Sequence, residues 1–151
     1  MKDKYIIPIF VPHLGCLNDC IFCNQKSISG QKKNITKEEA RKQIDEFLEN
    51  LKDKKEDKEI AFFGGSFTGI EEEKQNELLE LANEYIRDGK VKSIRISTRP
   101  DYIDKKILKR LKKYKVKTIE LGVQSSNDYI LERSNRGHNF EDVKKASKLI
   151  R

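Results

Sequence analysis

Four short apolar segments alternate along the chain with helical patterns, and this alternation constrains the fold more than any other feature. The segments cover residues 5–11, 60–63, 91–97 and 116–123. Each is followed by apolar residues at the spacing of a helix that buries one face. This order predicts an α/β fold of about four βα units, with a parallel sheet and right-handed crossovers. Pro8 places the first strand at an edge of that sheet or ends the strand early.

Local signals fix where the helices begin and end. Thr36 and Glu39 form a predicted capping box, and Asp104 is a predicted N-cap. Gly89 is a predicted left-handed cap at a helix C-terminus. A last helix is expected to start at Asn139 and to continue to the end of the chain.

The polarity pattern within the strands favours a partial barrel over an open doubly wound sheet. Apolar and polar or small residues alternate in the last two segments, whereas central strands of a doubly wound sheet are apolar throughout. One predicted face carries Ile94, Ile96, Ile119, Leu121 and Val123; the other carries Ser93, Arg95, Ser97, Glu120, Gly122 and Gln124. The apolar face is expected under a helix layer, and the polar face is expected to line a cavity.

All three cysteines of the chain lie within eight residues, as Cys16, Cys20 and Cys23. Three thiolates on a short loop can bind three corners of one iron–sulfur cluster, which normally has four cysteine ligands. One iron would then be free to bind another molecule. Two other readings stay open, which are reduced structural thiols and a zinc site completed by His13.

Four further motifs follow the predicted strands. They are FGGSFT (residues 63–68), STRPDY (97–102), ELGVQS (120–125) and NRGH (135–138). Each motif is unremarkable alone, but all lie at or beyond the C-terminal ends of strands. Barrel enzymes build their active sites at that end of the sheet.

In this order, the cysteine loop and the four motifs resemble the radical SAM superfamily. Phe22 before the last cysteine fits the pattern CxxxCx(aromatic)C of that superfamily. The whole set is similar to the radical SAM domain of the Elongator catalytic subunit, which acts on wobble uridine in transfer RNA. More loosely, it resembles the oxygen-independent coproporphyrinogen oxidases. The resemblance implies a partial (β/α) barrel of the radical SAM type and a radical SAM enzyme.

The resemblance also implies roles for individual residues. The cysteines would bind a [4Fe–4S] cluster that cleaves S-adenosylmethionine reductively and releases a 5′-deoxyadenosyl radical. The implied cofactor contacts are Gly64, Gly65 and Ser66 at the amino group, Ser97 where many relatives have a glutamate, Gln124 at the ribose or methionine, and Arg136 at the carboxylate. The chain departs from Elongator subunits in the short gap between its first two cysteines and in the neutral side chain of Ser97.

The charge of the chain bears on its partners. Its 32 Lys and Arg residues exceed its 25 Asp and Glu residues, which gives a net charge of +7. A basic surface suits transfer RNA or another nucleic acid, although lysine-rich solvated helices would look the same. An alternative function is therefore a non-catalytic RNA-binding module stabilised by zinc or by a cluster. As an enzyme, the chain would need an external electron donor.

The sequence shows no signal peptide and no apolar run of the roughly 20 residues that span a membrane. Three closely spaced cysteines also cannot all pair in disulfides, which argues for a reducing compartment. Together these features predict a cytoplasmic protein without a membrane partner. Residues 1–151 are expected to be a C-terminally truncated radical SAM core domain, since such domains usually have six βα units. The apolar repeat Val143, Ala146, Ile150 still continues near Arg151. An open edge on the fourth strand would favour self-association.

Overall fold

A computed structural model describes residues 4–12, 20–23 and 35–151. These residues form four strands and five α-helices, with short 3₁₀ turns at Phe67–Gly69 and Pro100–Tyr102. In chain order the elements are β1 (Lys4–Val11), α1 (Lys37–Asn50), β2 (Asp57–Gly64), α2 (Glu72–Arg87), β3 (Ser93–Thr98), α3 (Lys105–Lys113), β4 (Val116–Leu121), α4 (Asp128–Arg133) and α5 (Phe140–Ile150).

The four strands form one parallel sheet in the order β1-β2-β3-β4. The predicted alternation of strands and helices is therefore confirmed, and so is the α/β class. β1 is an edge strand, as Pro8 predicted. Proline has no N–H to donate to a ladder, and an edge strand pairs on one side only. Pro8 does not shorten the strand, since the pairing with β2 runs on to Val11 and Gly64.

The core lies on one face of the sheet, between the strands and the helix layer. Ile7 and Ile9 of β1, Ile60 and Phe62 of β2, and Ile94 and Ile96 of β3 are fully buried. They pack against α1 and α2, which contribute Ala40, Ile44, Leu78, Leu79, Leu81 and Ala82. Residues of the other parity face away from this core, and Ile6 and Phe63 among them remain 47% and 40% exposed. The predicted division of the sheet into an apolar and an open face is thus observed.

The predicted helix ends are found where local chemistry placed them. The Oγ1 atom of Thr36 accepts from the N–H of Glu39 at 3.2 Å, and the Glu39 carboxylate accepts from the N–H of Thr36 at 2.8 Å. Asp104 caps α3, and Gly89 has a φ of 71° after α2. Within the described ranges, no helix combines the length and the apolar character that a membrane span requires.

Three of the predicted strands have other boundaries in the structure, and β2 covers Asp57–Gly64 rather than residues 60–63. β3 covers Ser93–Thr98 rather than residues 91–97, and β4 ends at Leu121 rather than at Val123. Both strands stop where their shared ladder stops, at the pair Thr98 and Leu121. The apolar alternation continues past that pair, but none of the described strands continues beside it to hold the chain extended.

Candidate functional site

The described part of the cysteine loop is a tight turn that contacts the end of α4. The N–H of Cys23 donates to the carbonyl of Cys20 at 2.9 Å, and the N–H of Ile21 donates to the carbonyl of Ser134 at 3.1 Å. Cys20 is 6% exposed, whereas Cys23 is half-buried. Two of the three predicted ligands therefore share one turn that is anchored to the body of the domain.

The complete metal ligand set cannot be assembled from the described residues. Among residues 4–12, 20–23 and 35–151, no three His, Cys, Asp or Glu side chains are placed to hold a metal ion. Cys16, the third predicted cluster ligand, and His13, the fourth ligand of the zinc reading, lie outside those ranges. Both metal readings therefore depend on residues beyond the ones described.

Arg136 contacts the cysteine turn and the loop after β4 at the same time. Its Nη1 donates to the sulfur of Cys20 at 3.5 Å, and its Nη2 donates to the carbonyl oxygen of Gly122. A Cβ atom at position 122 would lie 2.9 Å from Nη2. The absence of a side chain at Gly122 is what lets the guanidinium come this close, a role that the sequence did not reveal.

The turn after α4 places the Arg136 side chain beside Cys20. Asn135 and Gly137 on either side of it have positive φ angles of 53° and 79°. The N–H of Arg136 donates to the carbonyl of Leu131 at 2.9 Å, which closes the turn back onto the helix. Its carbonyl accepts from Nη2 of Arg99 at 2.7 Å, so the loop after β3 also holds this turn in place.

The same turn is supported by a group of charged and polar side chains, Arg99, Asp101 and His138. Arg99 is 2% exposed and donates to both carboxylate oxygens of Asp101, at 2.9 and 2.8 Å. Nδ1 of His138 lies 3.7 Å from Asp101 Oδ1. Burial of the imidazole lowers the pKa of His138, and the positive charge of Arg136 acts in the same direction. His138 thus belongs to the packing that fixes the loop of Arg136.

The glycine turn after β2 is required by the packing of β1. Gly64 has a φ of 108°, and a Cβ there would lie 2.6 Å from the ring of Phe10. The N–H of Gly65 donates to the carbonyl of Val11 at 2.9 Å. Close packing alone therefore accounts for Gly64. The predicted contacts of Gly64 and Gly65 with a cofactor amino group stay predictions.

Ser66 joins the loops after β2 and β3. It is 2% exposed, and its hydroxyl lies 2.8 Å from Oγ1 of Thr98 and accepts from the N–H of Arg99 at 3.3 Å. Thr98 also shares a short hydrogen bond with Thr68, which donates to the carbonyl of Tyr102 at 2.8 Å. The predicted cofactor contact of Ser66 is untested, but its hydroxyl already serves this buried cluster.

A charged network on the open face of the sheet was not predicted. Arg95 donates to the buried carboxylate of Glu59 at 2.9 Å and to Glu120 at 2.6 Å. Ser93 donates to Glu59 at 2.7 Å, and Ser97 donates to Glu120 at 2.8 Å. The network crosses β2, β3 and β4, and it lies on the face that the alternation assigned to a cavity.

The outer end of this network is a half-exposed carboxylate. The side chain of Glu120 is 50% exposed. Its hydrogen bonds from Arg95, and then from Ser97, lower the pKa of Glu120 below its usual range. Glu120 is therefore ionised at neutral pH, and it presents a negative charge beside Ser97 at the ends of β3 and β4. Polar residues at alternate strand positions were the signal that could have revealed this network.

Gln124 occupies an unusual turn just beyond β4. Its φ is 71°, and the N–H of Ser125 donates to the carbonyl of Val123 at 3.0 Å across it. A three-residue turn with a positive central φ is rare and strained. Such outliers cluster at functional sites, where the surrounding structure enforces them. The exposed position of Gln124 suits its predicted contact with a ligand.

The predicted cluster fits the residues that are present. The fit rests on the contact of Arg136 with Cys20, because a positively charged donor complements the negative charge of a thiolate ligand. Hydrogen bonds to the sulfurs are also among the features that tune such clusters. The structure brings Cys20, Gly122 and Arg136 together directly, whereas Ser97 and Glu120 lie in the separate network on the sheet.

Comparison with known proteins bears on the family and the fold of the chain. The family model described as the radical SAM superfamily matches residues 10–151. A protein of Methanocaldococcus jannaschii named as a candidate methylthiotransferase is 32% identical over 147 residues, which is 92% of this chain and 31% of that protein. The tRNA uridine(34) acetyltransferase of Methanocaldococcus infernus is 30% identical over 110 residues, which is 62% of this chain and 21% of that protein.

The chain thus spans about a third or less of the length of these two relatives. A solved structure, archaeal Elp3 of Methanocaldococcus infernus with its N-terminus deleted, is similar with a TM-score of 0.63. The match has 24% sequence identity and covers 97% of this chain and 34% of that one. It confirms the predicted fold, four βα units of a partial barrel.

Proposed function

The chain belongs to the radical SAM superfamily, and we propose that it binds one [4Fe–4S] cluster through Cys16, Cys20 and Cys23, with S-adenosylmethionine beside it. It would form the radical-generating part of an enzyme that modifies transfer RNA. The observation that carries this proposal is Arg136, whose guanidinium links the sulfur of Cys20 to the loop after β4. A buried cation between the cysteine turn and the end of β4 lies where a cluster-bound cofactor would meet it.

When bound, the cluster and S-adenosylmethionine supply a carbon radical that removes a hydrogen atom from a substrate. The residues of this chain bind and orient the cofactor. Arg136 is the donor we assign to the cofactor carboxylate, and Gln124 is the exposed side chain we assign to its ribose or methionine. Gly64 and Gly65 are the turn we assign to the amino group, and Ser66 holds that turn through its hydrogen bond with Thr98.

Ser97 is neutral, but a charged neighbour, Glu120, can take the role of the glutamate found in many relatives. In the resemblance set out above, many relatives carry a glutamate at the position of Ser97. Here the carboxylate of Glu120 lies 2.8 Å from the Ser97 hydroxyl and is held by Arg95. We therefore assign to the Ser97–Glu120 pair the acceptor that the relatives provide with a single side chain.

Transfer RNA is the substrate class that we propose. Two relatives carry the name tRNA uridine(34) acetyltransferase, and the second is 43% identical over 56 residues. The net charge of +7 is consistent with a polyanionic substrate. Acetyl transfer is not included, because this chain spans 21% and 10% of those two proteins. The chemistry we propose is radical activation of a base, with wobble uridine as the first candidate.

The proposal also sets the conditions under which the protein works. The cluster must be reduced, and an external electron donor would supply the electron. Cysteine ligands of a cluster must stay reduced, and the cytoplasm keeps thiols reduced. We therefore propose a cytoplasmic location.

Anaerobic reconstitution with iron and sulfide tests the cluster. The protein should bind about four irons, as expected for a [4Fe–4S] cluster. Cys16→Ala, Cys20→Ala and Cys23→Ala should each abolish the bound iron while circular dichroism shows a retained fold. His13→Ala is the discriminating control, because the cluster does not need His13 whereas a Cys₃His zinc site does.

Stoichiometric zinc that is lost in His13→Ala, with no uptake of iron, would instead identify the alternative of a zinc-stabilised RNA-binding module. Iron loading in the wild type followed by release of 5′-deoxyadenosine from S-adenosylmethionine would support the enzyme. Transfer RNA modification is then assayed by mass spectrometry of the nucleosides, using the protein encoded by its whole reading frame.

A further inference from the structure

The charges of the chain are distributed unevenly between two segments. Residues 93–151 hold 16 Lys and Arg residues against 7 Asp and Glu residues, a net charge of +9. Residues 35–92 hold 11 against 16, a net charge of −5. A strong asymmetry between halves indicates an interaction with a polyanion or a charged surface. Residues 1–34 add a net charge of +3. Most of the positive charge therefore lies in the segment that contains β3, α3, β4, α4 and α5.

The two segments also differ in how their cations are paired. Eight of the eleven cations in residues 35–92 form ion pairs. In residues 93–151, by contrast, eight lysines have no carboxylate within 4.0 Å among the described residues. These lysines are Lys105, Lys109, Lys112, Lys113, Lys115, Lys117, Lys145 and Lys148. The surplus positive charge is thus available to a partner.

Helix α3 concentrates this surplus on one side. We call Lys105, Lys106, Lys109, Lys112 and Lys113 the α3 lysine face; all five are exposed. Their helical spacing places them on one side of α3, over about 12 Å at a rise of about 1.5 Å per residue. The opposite side carries Leu111, which is 1% exposed. A groove of about 600 Å³ runs along the face, and Tyr114 forms part of its lining.

Helix stability does not account for this arrangement. Lys112 and Lys113 lie in the last turn, where cations favour the helix dipole, but Lys105 and Lys106 lie in the first turn, where they oppose it. Lys105 and Lys109 form a like-charge pair at i and i+4, which is destabilising. A face that is unfavourable for the isolated helix is expected where a ligand uses the charge.

We propose that the α3 lysine face binds the phosphodiester backbone of the RNA substrate. This inference rests on the proposed function for the identity of the RNA. Flexible ammonium groups bind phosphates as point charges, and such contacts position a nucleic acid without reading its sequence. α3 begins just beyond the end of β3 that carries Ser97 and Thr98. RNA on this face would therefore extend along the side of the domain from the same end of the sheet.

Two other partners fit the face less well. Basic amphipathic helices also bind membranes, but the apolar side of α3 is covered by the protein core, since Leu111 is buried. Protein interfaces are depleted in lysine at their centres and enriched in aromatic residues. α5 packs beside α3, and it adds Lys145 and Lys148, which are exposed. Exposed lysines on both helices favour a polyanion.

The test compares two triple variants of equal charge. Lys105→Gln/Lys109→Gln/Lys112→Gln removes three charges from the α3 lysine face. Lys42→Gln/Lys52→Gln/Lys90→Gln removes three charges that are paired with Glu46, Glu49 and Asp88. Binding of an unmodified transfer RNA transcript is measured by fluorescence anisotropy from about 50 to about 200 mM salt, the range in which phosphate contacts change affinity strongly.

The α3 triple should bind the transcript at least roughly tenfold more weakly at about 0.1 M salt. Its plot of log affinity against log salt should be shallower by about two to three units, because each lost phosphate contact removes about 0.7–0.9. The control triple should stay within about twofold and keep the wild-type slope. Equal weakening by both triples would mean that only net charge matters, and it would overturn the proposal.

Two further probes decide the nature of the partner. Poly-L-glutamate and vesicles of anionic phospholipid are titrated under the same conditions. If either competes for the α3 lysine face as well as the transcript does, the assignment to RNA fails. Iron content is measured on the same samples and should be equal in all variants. RNA binding through α3 in a protein that takes up no iron would retain this inference while the proposed function failed.

Discussion

Residues 35–92 and residues 93–151 have similar lengths but contribute differently to the molecule. Among the described residues, most of the hydrophobic core comes from α1, β2 and α2 of the first segment and from β1, which precedes it; only Ile94, Ile96 and Leu111 of its buried members follow residue 92. β4 has no fully buried residue. The second segment instead carries Arg136, Gln124, Glu120 and the unpaired lysines. One segment mainly stabilises the domain, and the other mainly presents groups to ligands.

This difference has a physical basis. Burial of apolar surface is the dominant favourable term in folding, whereas exposed charges contribute little to stability. A segment with eight lysines outside ion pairs and with the half-buried strand β4 gives up stability for recognition. Arg95 connects the two segments, because it donates to Glu59 of β2 and to Glu120 of β4. Four predictions break or sharpen the comparison.

The largest effect is expected from matched truncations in β2 and β4. Ile60→Ala removes a fully buried side chain and should lower the free energy of unfolding by about 2–5 kcal/mol. Ile119→Ala removes a half-buried side chain, and about half that loss is expected. Urea unfolding followed by circular dichroism measures both. Equal losses would mean that β4 is as well packed as β2, and the comparison between the segments would not hold.

An intermediate effect is expected at Arg136. Arg136→Ala removes a charge-assisted hydrogen bond worth about 1.5–3 kcal/mol, so affinity for S-adenosylmethionine should fall roughly 10- to 100-fold. Equilibrium dialysis with the reconstituted protein measures this, and iron content is determined in parallel. Arg133→Ala, on the exposed end of α4, is the matched control and should bind normally.

Gly122→Ala separates positioning from charge at the same site. The new Cβ would lie 2.9 Å from Nη2 of Arg136 and would displace a flexible side-chain end rather than backbone. Affinity for the cofactor should therefore fall less than in Arg136→Ala, with little change in stability.

If Arg136→Ala binds S-adenosylmethionine normally but loses iron, Arg136 serves Cys20 and not the cofactor carboxylate.

The smallest effect is expected from the link between the two segments. Arg95 and Ser97 lower the pKa of Glu120, so its ion pair stabilises the fold above the unfolded-state value of about 4.3. That stabilisation is lost as pH falls below 4.3 through the lower folded-state pKa. Glu120→Gln should destabilise the protein by less than about 1 kcal/mol at pH 7, because Glu120 is half-exposed.

The difference between wild type and Glu120→Gln should disappear in acid, as measured by urea unfolding at a series of pH values. Glu132→Gln, an exposed position on α4, is the control and should change nothing at any pH. A difference that persists in strong acid would show that the Glu120 side chain acts by packing and not by its charge.

Much of the fold could be predicted because its signals are local. The capping box of Thr36 and Glu39 needs only four residues of sequence, and it is formed as expected. Strand ends were less accurate because they depend on a partner. Val123 continues the apolar alternation, yet β4 stops at Leu121 where β3 no longer offers a ladder.

The sequence by itself determined the element order, the helix caps, the two-faced sheet and the motifs at its C-terminal end. These follow from side-chain periodicity and from short-range hydrogen bonding, which the chain encodes within a few residues. The contact between Arg136 and Cys20 joins residues that are 116 positions apart. The network of Glu59, Arg95 and Glu120 depends on the register of three strands. Only the tertiary structure decided these contacts, because register and loop conformation result from the packing of the whole sheet.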